Sequence, residues 1–64
     1  MTFKAIEVTG GWVLMFYGPW PKDEEKAEAV MKTVFDRNHR ARKYEDEEEA
    51  NETICKILSI LESP

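Results

Sequence analysis

The chain has little of what very small domains use to brace themselves. It contains a single cysteine, Cys55, so no internal disulfide can form, and a lone thiol without a disulfide framework fits a reducing cytoplasm. Histidine also occurs once, as His39, and no serine stands in a nucleophile-elbow setting. There is no glycine-rich phosphate loop and no spacing of metal-ligating residues. These absences argue against an enzyme and against any cofactor or metal. Long hydrophobic runs are missing too. The N-terminal Met1-Thr2-Phe3-Lys4-Ala5 has no apolar h-region or cleavage pattern, and no transmembrane segment or lipidation motif follows. A soluble cytoplasmic protein without membrane contact is expected. At 64 residues it is read as one domain, residues 1–64, near the lower limit for a self-sufficient core. A partner or a second copy would be a natural source of added stability.

Against that background one stretch stands out. Between Gly11 and Gly18 lie Trp12, Val13, Leu14, Met15, Phe16 and Tyr17, six apolar or aromatic residues without a charge. The run is too short for a membrane span or an ordinary helix, and its β-branched and aromatic content favours a strand. Alternation places Trp12, Leu14 and Phe16 on one face and Val13, Met15 and Tyr17 on the other. Both faces are apolar, and so short a chain has little material to cover two.

Thr2 to Val8 reads as a preceding strand with Lys4, Ile6 and Val8 on one side. The Gly10-Gly11 pair tolerates the positive φ angles of a tight hairpin, so the two strands are expected to be antiparallel neighbours. Gly18-Pro19-Trp20-Pro21 ends the second strand, because two prolines cannot keep donating to a ladder. Trp20 is expected to fold back over the edge of the core, with a recognition tryptophan as the alternative.

From Lys22 or Asp23 to Asp36 the period becomes helical, with Ala27, Val30, Met31, Val34 and Phe35 in one stripe. Asp23, Glu24 and Glu25 suit the positive end of that helix, Glu28 and Lys32 are spaced to pair, and Asn38 reads as a left-handed stop. Residues 39–45 read as a short basic edge strand. A second helix restarts at Asp46, with Asp46 as N-cap and Glu49 in a capping-box position. It runs through Ala50, Ile54, Ile57, Leu58 and Leu61, with Glu52 and Lys56 as a second spaced pair, and Ser63-Pro64 closes it. Cys55 falls at the flank of this stripe and reads as a small, partly buried packing residue. The expected fold is α+β: a three-stranded sheet in the order β-β-α-β-α, with two amphipathic helices on one face and the other face open.

Net charge is −4, unevenly distributed. Arg37, Arg40, Arg42 and Lys43 form a basic segment that could contact phosphate, although only Tyr44 accompanies it as an aromatic and acids follow at once. Glu45, Asp46, Glu47, Glu48 and Glu49 could instead mimic a phosphate backbone or hold a divalent cation, and the mimic would be strengthened if Asp23, Glu24 and Glu25 lay beside them. The ordinary alternative is a solvated helix start, since calcium loops need a glycine turn and alternate ligands that are absent here.

Two stretches, Gly11-Trp12-Val13-Leu14 through Gly18-Pro19 and Ala41-Arg42-Lys43-Tyr44-Glu45-Asp46-Glu47-Glu48-Glu49-Ala50, together resemble small uncharacterised proteins of bacteriophage and prophage genomes. The resemblance spans about half the chain and implies a short host-directed or regulatory protein with no catalytic residues to carry over. The expected function is non-enzymatic protein binding, as an inhibitor or adaptor of a host protein or as a homodimer. The expected surface is drawn from Trp12, Val13, Leu14, Met15, Phe16 and Tyr17, on whichever sheet face is open, with Trp20 nearby. The alternative is a nucleic-acid-related role, through direct phosphate contact or acidic mimicry.

Overall fold

Gly10 and Gly11 turn the chain at φ 91° and 147°, backbone angles that a side chain would oppose. The turn joins β1 (Thr2–Val8) to β2 (Gly11–Tyr17) in the computed structural model, which describes residues 1–62. The strands pair antiparallel, with Phe3 opposite Phe16, Ala5 opposite Leu14 and Ile6 opposite Val13. Two helices follow, α1 (Glu24–Val34) and α2 (Glu47–Glu62).

Each helix starts at an aspartate that satisfies otherwise orphaned amides. Asp23 accepts from the amides of Glu25 and Lys26 at 2.9 and 3.3 Å. Asp46 accepts from that of Glu49 at 2.8 Å, while the Glu49 carboxylate receives the amide of Glu45 rather than that of the cap residue itself. Glu28 and Lys32 close their ion pair at 3.1 Å, whereas none closes between Glu52 and Lys56. The expected closure by Ser63-Pro64 lies outside the described residues.

The core is a single cluster in which Leu14, Val30, Val34, Ala50 and Ile57 are buried. Phe3, Ala5, Trp12, Phe16, Phe35, Tyr44, Ile54 and Leu61 pack around them. Helix α2 lies against both strands and α1 packs on α2. The Lys26 ammonium donates to the Leu61 carbonyl at 3.3 Å, tying the first turn of α1 to the last turn of α2, so the helices run antiparallel. Phe16 meets Phe35 edge-on at 6.1 Å and Trp20 at 5.1 Å, which places Trp20 over the core edge as expected, still partly open to solvent.

The sheet has two strands, not three. Residues 39–45 make only isolated bridges: Tyr44 exchanges backbone hydrogen bonds with Trp12, both at 2.8 Å, and Ala41 pairs with Phe35. The physical reason is that this segment is drawn to the end of α1, where an α-helix leaves four carbonyls unpaired. The amide of Phe35 takes the Met31 carbonyl, and the Arg42 Nε takes that of Lys32 at 3.0 Å. The Tyr44 hydroxyl takes that of Thr33 at 2.8 Å, and the Arg42 amide that of Val34 at 2.9 Å. All four carbonyls are thereby satisfied, three of them by one strap, residues 41–44. Of residues 39–45 only Tyr44 also pairs with β2, so no continuous third strand forms.

Two smaller expectations also fail. The left-handed residue is His39, at φ 60°, not Asn38. The Asp36 carboxylate gathers the amides of Asn38 and Arg40 at 2.8 and 3.0 Å, and closing that loop forces the positive angle one residue later. Cys55 is exposed rather than partly buried, because it lies outside the α2 stripe that meets the strands and α1.

Candidate functional site

Backbone alternation splits the Trp12–Tyr17 run into two populations. Trp12, Leu14 and Phe16 point into the core, with Leu14 buried and the other two half-buried. Val13, Met15 and Tyr17 point away from the helices. The register then decides which β1 side chains join them. Ile6 lies opposite Val13, Lys4 opposite Met15 and Thr2 opposite Tyr17, with Val8 beside the turn. The outer face is therefore an apolar strip of Ile6, Val8, Val13, Met15 and Tyr17, edged by Lys4 and Thr2. Met15 is 43% exposed, Tyr17 54% and Val8 36%. The Tyr17 hydroxyl donates to the Met15 sulfur at 2.8 Å, which holds the two most open side chains of the strip against each other. Ile6 and Val8 belong to this surface although attention to the β2 run alone misses them. The signal that finds them is their shared parity with Lys4 in β1.

The basic segment does not form one patch. Arg37, His39 and Arg42 gather with Lys32 around a cleft of about 190 Å³ at the end of α1. Lys43 instead lies over the hairpin turn, its ammonium 3.4 Å from where a Cβ on Gly10 would stand. The Arg40 backbone binds Asp36 through both its amide and its carbonyl. The Arg40 amide, opposed by desolvation and then assisted by the Asn38 amide and the charges of Arg40 and Arg42, holds the Asp36 carboxyl below its ordinary 3.8.

The two acidic helix starts lie at opposite ends of the helix pair. Because α1 and α2 are antiparallel, Asp23, Glu24 and Glu25 sit beside the far end of α2, about 24 Å from Glu47, Glu48 and Glu49 at 1.5 Å per residue. The side-by-side arrangement that would strengthen phosphate mimicry does not form; at the α2 start Asp46 caps the helix and the Glu45 amide donates to the Glu49 carboxylate.

Among the described residues, no cluster of three or more histidine, cysteine, aspartate or glutamate side chains could hold a metal ion. No described helix is long and apolar enough to cross a membrane. His39 and Cys55 are both exposed, on the α1-end loop and on α2 respectively. No family model, curated protein or solved structure matches the chain.

Proposed function

We propose that this chain is a non-enzymatic protein-binding module whose docking surface is the outer face of the β-hairpin. The observation that carries it is the apolar strip Ile6, Val8, Val13, Met15 and Tyr17 on the sheet face that neither helix covers. Contiguous apolar surface left in water is costly, and in a monomer it characteristically marks an interaction site. Tyrosine and methionine suit such a surface, the first by joining a large ring to a polar tip and the second by adapting its shape. Trp20, 40% exposed and tilted against the Phe16 ring, lies on the core side and contributes at the rim. In the setting the phage-type resemblance implies, the module acts in the cytoplasm as an inhibitor or adaptor of a host protein.

The test is a Met15→Glu, Tyr17→Glu double variant. Both positions are exposed, so unfolding stability should stay within about 1 kcal/mol of the parent. Capture of a protein partner by the immobilised chain should be lost, and sedimentation should show whether a second copy is that partner. Capture that survives the double variant unchanged would remove the outer face from the interface.

A further inference from the structure

The cleft at the end of α1 has a composition that the sheet face lacks. Its floor is apolar, formed by Met31, 44% exposed, and half-buried Phe35. Its walls carry Lys32, Arg37, His39 and Arg42. Three cations and the one acid that also lines it, Asp36, leave a local balance of +2 with histidine neutral, on a chain whose total is −4. Lys32 is partly answered by Glu28, and Asp36 by the amides of Asn38 and Arg40. The Arg42 guanidinium is held in place by its Nε bond to the Lys32 carbonyl, and no hydrogen bond among the described residues engages its terminal nitrogens. That same bond, with those from Phe35, Tyr44 and the Arg42 amide, occupies the helix-end carbonyls. Their negative pole, which would repel an anion, is thereby muted.

We propose that this cleft docks an acidic peptide segment of a protein partner, seating one apolar side chain on Met31 and Phe35 with flanking carboxylates on Arg37 and Arg42. Charge complementarity sets the sign of the ligand, and the apolar floor sets its kind. A volume of about 190 Å³ is below the roughly 300 Å³ at which small-molecule and cofactor pockets begin, and it suits a single side chain. A nucleic acid is less well served, since Lys43 is turned away over the hairpin and no line of cations is left to follow a phosphate backbone. Guanidinium groups fit carboxylates in a two-pronged geometry, so Arg37 and Arg42 supply direction as well as charge. The site is separate from the outer sheet face, and either surface can fail without the other.

Fluorescence anisotropy tests it with a short labelled peptide of glutamate and aspartate around a central Leu-Phe pair. A polyglutamate peptide and a single-stranded oligonucleotide of similar charge serve as comparisons. The Leu-Phe peptide should bind more tightly than either, and Arg37→Glu or Met31→Ser should each weaken it by about tenfold or more. Both positions are exposed, and Met15→Glu should leave the affinity unchanged. Amide shifts in the folded protein should cluster on residues 31–42. Absence of binding overturns the proposal, as does equal affinity for polyglutamate with indifference to Met31→Ser. Tighter binding of the oligonucleotide assigns the cleft to nucleic acid and overturns it as well. Loss of binding in Met15→Glu would move the peptide to the sheet.

Discussion

Replacing Gly11 by alanine tests the link between the hairpin and the end of α1. A Cβ at Gly11 would stand 2.5 Å from the Tyr44 carbonyl oxygen, a backbone atom that cannot swing aside as a side chain would. Relief requires the strap to move, and the two 2.8 Å bonds between Trp12 and Tyr44 go with it. Each such bond is worth about 1 kcal/mol net. Holding alanine at φ 147° adds roughly 1–2 kcal/mol. The expected loss is therefore about 3–4 kcal/mol. A domain of this size holds roughly 3–10 kcal/mol in all, so the variant should be close to unfolding. Gly10→Ala is the matched control. It carries a positive φ of 91°, but its nearest new neighbour is the flexible Lys43 side chain at 3.4 Å, so it should lose only about 1–2 kcal/mol. Urea unfolding followed by far-ultraviolet circular dichroism compares the two. If the variants unfold within about 0.5 kcal/mol of each other, close approach of the strap contributes nothing and the reasoning is wrong.

Two further outcomes follow from the same region. Burial raises the Tyr44 pKa above 10.0 despite the opposing pull of the Thr53 hydroxyl and Arg42, so the folded state holds that proton more tightly than the unfolded chain. Its contribution is complete below pH 10 and is lost as pH rises through the higher folded value; Tyr44→Phe should remove this alkaline sensitivity while costing about 1 kcal/mol at neutral pH through the bond to Thr33. Asp36 is the reverse case: its pKa lies below 3.8 when folded, so the loop it closes should persist above that value and open only as pH falls through the lowered one. Amide resonances of Asn38 and Arg40 should report this, and in Asp36→Ala they should already be displaced at neutral pH, with no further change on acidification.

The hairpin and both helices were legible because each rests on a local signal. Gly10-Gly11 needs only backbone freedom, the Trp12–Tyr17 run only its alternation, and Asp23 and Asp46 only the amides two or three residues ahead. The choice between the two faces of β2 was not legible, since Trp12, Leu14 and Phe16 are as apolar as Val13, Met15 and Tyr17. It follows from the register with β1, whose Phe3 and Ala5 join the core. The missing third strand is a different kind of error. Arg42 and Tyr44 look like edge-strand residues, yet their side chains reach carbonyls of α1 from about ten residues away. No periodicity within 39–45 records a partner outside it. His39 adopts the left-handed angle that Asn38 is better suited to, because the Asp36 loop closes around both neighbours. The same turn folds residues 31–42 back on themselves and gathers Arg37, His39 and Arg42 beside Met31 and Phe35.

The strap also bears on how the molecule breathes. Helix α1 is moored at both extremities, at its beginning by Lys26 to the last turn of α2 and at its end by Arg42 and Tyr44. Between the two moorings Val30 and Val34 are buried in the core. Deuterium should therefore enter the amides of α1 and the first residues of β2 together, in a single collective opening, while the exposed turns of the chain exchange earlier and independently.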